Sequence, residues 1–181
     1  MNDDGWQPQF QAVYERGVVA WSAGRRSPGM MFSPDDAAFL AGIGCSAQEL
    51  FDFVDDGQEY GEPDFATVLA VQKIRRAYFL SVMGGTPSGR VASMADLPTK
   101  TAAVEGIAWL PRLIAKARIK LRGEMPADLM YGCGGDRAFA QRMNLTLPDF
   151  LQRAWDAGSD DHRIVTFVKQ AAARKTVGAN R

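Results

Sequence analysis

The chain has 181 residues, 46% of them hydrophobic and 10% aromatic, enough for one packed domain or two small ones. Its 21 basic and 21 acidic residues balance, which leaves no basic excess to drive nucleic-acid binding through counterion release. No run approaches the ~20 apolar residues of a membrane span, and the polar start Met1-Asn2-Asp3-Asp4 lacks the pattern of a secretory leader. The expectation is a soluble, cytoplasmic protein with no nucleic-acid or membrane partner. Two cysteines, Cys45 and Cys133, are too few for a disulfide framework.

The first helix is predicted over residues 9–23, with Phe10, Val13, Tyr14, Val18 and Trp21 on one face and Gly24 as its stop. Residues 25–32 read as an irregular loop. Ser33-Pro34-Asp35-Asp36 then supplies a capping serine, a proline at the first helical position and an acid three residues on, opening a short helix that ends at Gly44. Ser46 and Glu49 form a second capping box, for a helix that buries Leu50, Phe51 and Val54 and stops near Gly57. A longer helix is predicted over residues 64–83, closed by Gly84-Gly85.

Residues 86–106, with two prolines and no sustained period over their first two-thirds, read as a connector. The next helix is predicted over residues 107–121, with Pro111 near its start and Gly123 past its end, followed by the loop 124–135. Helices over residues 136–143, 146–157 and 159–175 follow, with Asn144 and Gly158 as stops and Thr146 with Asp149 as a capping box. The tail 176–181 has nothing to bury and is expected to fray. No segment alternates apolar and polar residues long enough to demand a strand.

The two halves share a pattern. Asp36, Ala38, Phe39, Ile43, Glu49, Leu50, Phe51 and Asp56 stand opposite Asp136, Ala138, Phe139, Met143, Asp149, Phe150, Leu151 and Asp156. The fold expected is therefore all-α, about eight helices in two similar four-helix units produced by tandem duplication. The units are placed at residues 1–85 and 107–175 of one compact body.

Trp109-Leu110-Pro111-Arg112, then Lys116, Ala117, Arg118, Lys120, Leu121 and Gly123, then Tyr131-Gly132-Cys133 and Asp136, resemble the Domain of Unknown Function 5069 family of small bacterial proteins. The first half looks like the longer members through Arg26-Ser27-Pro28, residues 44–54 and residues 60–65. The resemblance implies a cytoplasmic helical fold and brings no activity.

Arg112 and Lys116 lie four residues apart on one predicted helix face, and Lys120 continues it. Such a stripe can hold a carboxylate or phosphate, with Gly132, Gly134 and Gly135 offering backbone N–H groups at the next helix start. Tyr131 and Trp109 complete this candidate ligand site, which is expected in a cleft between the halves and suited to an anionic organic molecule. A solvated face with paired charges is the plainer alternative.

Cys133, between glycines and before a helix start, is the candidate catalytic nucleophile; an inert thiol is the alternative. A Cys-His pair would need His162, the single histidine, to reach it. One histidine and two distant thiols predict no metal site, and no cofactor motif is present. A third reading is an assembly module, a homodimer formed through Trp21, Met30, Met31, Phe32, Trp109, Met130 and Tyr131.

Overall fold

The computed structural model describes residues 5–178. Among them the protein is all-α, with nine helices and one two-stranded hairpin. The chain divides into two compact units, Met1–Ser88 and Gly89–Arg181.

In the first unit α1 (Trp6–Ser22) leads to α2 (Pro28–Met31), α3 (Pro34–Gly42), α4 (Ala47–Tyr60) and α5 (Phe65–Ser81). Both predicted capping boxes are present. Ser33 Oγ accepts from Asp36 N while Asp36 Oδ2 accepts from Ser33 N, and Ser46 with Glu49 does the same for α4. Such a box satisfies two N-terminal amides that the helix itself leaves orphaned. The core holds Phe10, Val13, Leu40, Leu50, Val54, Val68 and Val71, all essentially inaccessible. Gly17 lets α1 approach this core closely: a Cβ there would meet the Phe32 ring and Val54 Cγ2 at 3.1 Å.

Two expectations for this unit change. Residues 28–31, read as irregular, form the short helix α2, because Pro28 fixes a helical φ at the first position. Gly57 does not end α4, which runs to Tyr60 and closes on Gly61 at φ 76°. The glycine at 57 serves packing, since a Cβ would lie 3.1 Å from the Pro63 carbonyl oxygen.

The second unit begins in what reads as a connector. A single 3₁₀ turn (Met94–Asp96) precedes β1 (Ala103–Val104), which pairs antiparallel with β2 (Ile107–Ala108). Glu105 and Gly106 make the turn with φ 48° and 78°, the positive pair that a two-residue hairpin needs. The segment packs within the unit: Leu97 joins Ile119 and Leu129 in a buried cluster, and Ala92 N donates to Glu124 O at 2.9 Å. The hairpin displaces the predicted helix start from 107 to Leu110, and α6 spans Leu110–Arg122.

Then come α7 (Gly134–Arg142), α8 (Leu147–Ala157) and α9 (Asp161–Gly178) around Leu110, Leu113, Phe150, Leu151, Ile164 and Val168. The tail expected from 176 is helical to Gly178, and its residues 179–181 lie outside the described ones. No single helix among the described residues is long and apolar enough to cross a membrane.

Candidate functional site: the Lys116–Asp136–Cys133 cluster

Helix α6 buries an apolar stripe at 110, 113, 114, 117 and 121 and, on the far side of it, Ile119, and positions 116 and 120 lie between the two, inside the same wide buried arc. Lys116 is consequently 1% exposed. A buried ammonium needs a counter-charge and hydrogen-bond acceptors. Asp136, at the third position of α7 and fully buried, provides both, with Oδ2 2.5 Å from Lys116 Nζ. The same oxygen accepts from Gly132 N at 2.8 Å, and Oδ1 accepts from Trp109 Nε1 at 3.0 Å. Three donors, from the N-cap and body of α6 and from the loop ahead of α7, thus converge on one carboxylate.

Two backbone positions make the convergence possible. Trp109 takes φ 74° where the hairpin meets α6, which turns its indole back towards α7. Gly135 then receives that ring, for a Cβ at 135 would lie 2.4 Å from Trp109 Cζ2. Gly132, at φ 93°, turns its amide onto Asp136.

Cys133 occupies the N-cap of α7 and is partly exposed. Its side chain caps no helix amide. Lys116 Nζ donates to its sulfur across 3.2 Å, so one ammonium bridges the Asp136 carboxylate and the Cys133 thiol. Five of the residues expected in a site, Trp109, Lys116, Gly132, Cys133 and Gly135, meet here. Gly134 opens α7 beside them and is exposed.

Two others serve different ends. Arg112 is half-buried and donates to the Pro98 carbonyl at 2.8 Å, tying the segment ahead of the hairpin to α6. Tyr131 is 2% exposed, and its hydroxyl donates to Leu147 O at 2.8 Å. Burial, aided by the Asp136 charge, pushes the Tyr131 phenol well above the usual tyrosine range. The cationic stripe is not a solvent-facing receptor, because Lys116 and Lys120 are each 1% exposed and Lys116 already holds a carboxylate. His162 is exposed, with its Nδ1 3.8 Å from Glu105 Oε1, so Lys116 rather than histidine is the partner of Cys133. Asp136, the centre of the cluster, enters the sequence reading only through the repeat and the family motif, with no role in a site.

The first unit offers a groove instead. It encloses about 580 Å³ between α1 and the α2–α3 corner, lined by Val19, Ala20, Ala23 and Met31 with Arg16, Arg25 and Asp36. Arg16 pairs with Asp36, and that contact holds the Asp36 carboxyl below its ordinary range. Among the described residues Arg25 Nη1 reaches only the Met30 carbonyl, at 3.4 Å. A smaller hollow of about 340 Å³ lies on the second unit among Asn144, Asp149, Arg153, Asp156 and Arg174. Of the aromatic and methionine residues expected at a self-association surface, Met31, Phe32 and Tyr131 are buried, whereas Met30 is 58% exposed. Among the described residues no three or more His, Cys, Asp or Glu side chains gather as a metal site would require.

No curated protein and no solved structure matches the chain. Residues 96–179, which hold the whole cluster, match the model of the family described as Domain of unknown function (DUF5069), and that match supports the resemblance carried by residues 109–136.

Proposed function

We propose that the second unit performs thiol chemistry on a small electrophilic substrate, with Cys133 as the nucleophile and Lys116 as the positioning donor. One observation carries the reading: a lysine buried to 1% exposure is held by Asp136 and aims an N–H at a partly exposed sulfur 3.2 Å away. A sulfur nucleophile works best beside positive charge and at a helix N-terminus. Both are in place. Asp136 offsets part of the lysine's field, so the sulfur faces an oriented ion pair and the first amides of α7. Those amides and the ammonium are also the groups that would steady negative charge on a substrate oxygen during attack. A free Cys133 suits a reducing compartment, which the cytoplasm provides.

The test is alkylation by iodoacetamide at pH 7, read residue by residue. Cys45, 4% exposed, is the internal reference. Cys133 should label about tenfold faster than a thiol in an unstructured peptide, and the apolar pair Lys116→Met with Asp136→Leu should abolish that advantage. Labelling of Cys133 no faster than the peptide thiol would overturn the reading.

A second reading keeps the anionic organic ligand and seats it in the first unit's groove. Arg25, held by one long hydrogen bond, is the donor that a carboxylate would engage, while Val19, 71% exposed, and Met31 give an apolar wall. Calorimetric titration with octanoate tests it. Binding that Arg25→Ala weakens about tenfold supports this seat; binding unchanged by that variant, or none, removes it. The two units would be copies of one ancestral module on this view, which the matching N-cap contacts at the heads of α4 and α8 support.

A further inference from the structure

Resting on the reading of Cys133 as a reactive thiol, we propose that Cys133 is a reversible oxidation site, closing onto the backbone nitrogen of Gly134 as a cyclic sulfenamide when it meets hydrogen peroxide. The thiol does not stand alone. Lys116, nine-tenths buried and more, places its ammonium 3.2 Å from the sulfur, and Asp136 keeps it there.

The neighbouring amide is suited to the second step. Gly134 is the first residue of α7, so its N–H has no acceptor within the helix, and forming a bond to nitrogen breaks no helical hydrogen bond. Gly134 is also exposed and carries no side chain to crowd a ring. The ladder of α7 begins elsewhere, with Arg137 N donating to Cys133 O at 3.0 Å.

The chemistry needs one equivalent of peroxide. Sγ attacks one peroxide oxygen, the O–O bond breaks, an S–O bond forms, and the thiol proton leaves with the departing hydroxide as water. Cys133 is oxidised by two electrons to the sulfenic acid, and the peroxide is reduced. The Gly134 nitrogen then attacks Sγ, an S–N bond forms and the S–O bond breaks. The hydroxide that departs takes a proton from Lys116 Nζ, and the amide proton makes good that loss, so the second product is again water. An added thiol reverses the modification by attacking Sγ and releasing the amide.

The first unit supplies the control. Pro34 stands at the first position of α3, where Gly134 stands in α7, and Ser33 is its N-cap, as Cys133 is for α7. Gly134→Pro removes the reacting N–H at a position where helices accept proline, and Cys133, at φ −60° and ψ 167°, already has the conformation a following proline requires. The full chain carrying Cys45→Ala, which prevents an internal disulfide, is treated with a small excess of hydrogen peroxide and weighed intact.

The expected product is about 2 Da lighter than the reduced chain, maps to the junction of residues 133 and 134, and reverts with dithiothreitol. The same chain with Gly134→Pro should instead stop about 16 Da heavier and be trapped by dimedone. A chain that gives only the heavier oxides, or a Gly134→Pro variant that still loses the two hydrogens, overturns the proposal. Alkylation is scored on the same samples: rapid labelling with no lighter product sinks the sulfenamide alone, whereas slow labelling sinks the reading beneath it.

Discussion

Asp36 and Asp136 occupy the same place in two similar helices, one hundred positions apart, and their surroundings differ in a way that explains why only one of them centres a candidate site. Asp36 closes a capping box with Ser33 and faces Arg16, whose side chain is 54% exposed. Asp136 faces Lys116, whose side chain is 2% exposed, and it gathers the Trp109 indole and the Gly132 amide as well. At the N-cap, α3 has the hydroxyl of Ser33 and α7 the thiol of Cys133. The first unit thus has a buried cap paired to an exposed arginine, and the second a buried charge cluster beside a partly exposed sulfur.

The comparison breaks most visibly when each acid is neutralised. Asp136→Asn leaves the Lys116 ammonium buried without its counter-charge and should cost about 3–5 kcal/mol in urea unfolding. Asp36→Asn should cost about 0.5–1 kcal/mol, because Arg16 can return to water and only a cap is weakened. Equal losses would mean that the two acids do the same job. Asp36 carries a pH dependence of its own. Arg16 depresses Asp36, so its contribution is present above the ordinary aspartate range and is lost as pH falls through the lowered folded value.

The glycines before Asp136 sharpen the contrast at smaller scale. Gly135→Ala drives a methyl group into the Trp109 ring and should cost about 1–3 kcal/mol, since the indole is anchored to Asp136 and cannot yield freely. At Gly134 the nearest atom to an added Cβ is the end of the Arg137 side chain, 3.8 Å away, so Gly134→Ala should be neutral within about 0.5 kcal/mol. Matched melting curves of the two variants decide it.

Tyr131 stands where the first unit has Met31, and both are buried. Its raised phenol means that the folded state keeps a proton that the unfolded chain releases once pH exceeds about 10. Stability should therefore fall with rising pH above that point, and Tyr131→Phe should remove this share of the alkaline loss. At neutral pH the same variant should cost about 1 kcal/mol, for the lost hydrogen bond to Leu147 O. Tyrosine absorbance followed beside circular dichroism tests the sign: ionisation of Tyr131 before unfolding would contradict it.

Much of this fold is legible in the chain because helix starts are local chemistry. Ser33 with Asp36, Ser46 with Glu49 and Thr146 with Asp149 each announce a helix that the structure contains. The hairpin at Ala103–Ala108 escapes because its strands are two residues long, too short for alternation to register, although Glu105-Gly106 between β-branched residues is a turn signal. The site is half legible. Cys133, Lys116 and the glycines stand out by type and spacing, yet nothing local reveals that Lys116 turns inward. The signal that points to it is non-local: Arg16 and Lys116 are themselves a hundred positions apart, like Asp36 and Asp136, so the same spacing separates the cations and the acids of the two ion pairs. Arg112 misleads because its partner is a backbone carbonyl, which no residue type advertises.

The most discriminating effect, and the one of opposite sign, is expected from Cys133→Ser, which gives α7 the N-cap residue that α3 has. In α3 the serine oxygen accepts from Asp36 N at 3.1 Å, and a serine at 133 can reach Asp136 N in the same way. Stability should hold or rise by up to about 1 kcal/mol, as a good N-cap replaces a side chain that caps nothing. A loss of more than that in thermal unfolding would mean that the sulfur is needed for folding, and that the thiol is retained for its contact with Lys116 rather than for its chemistry. A gain in stability together with loss of peroxide and iodoacetamide reactivity would show the opposite: that this position forgoes a better cap in order to keep a sulfur exposed.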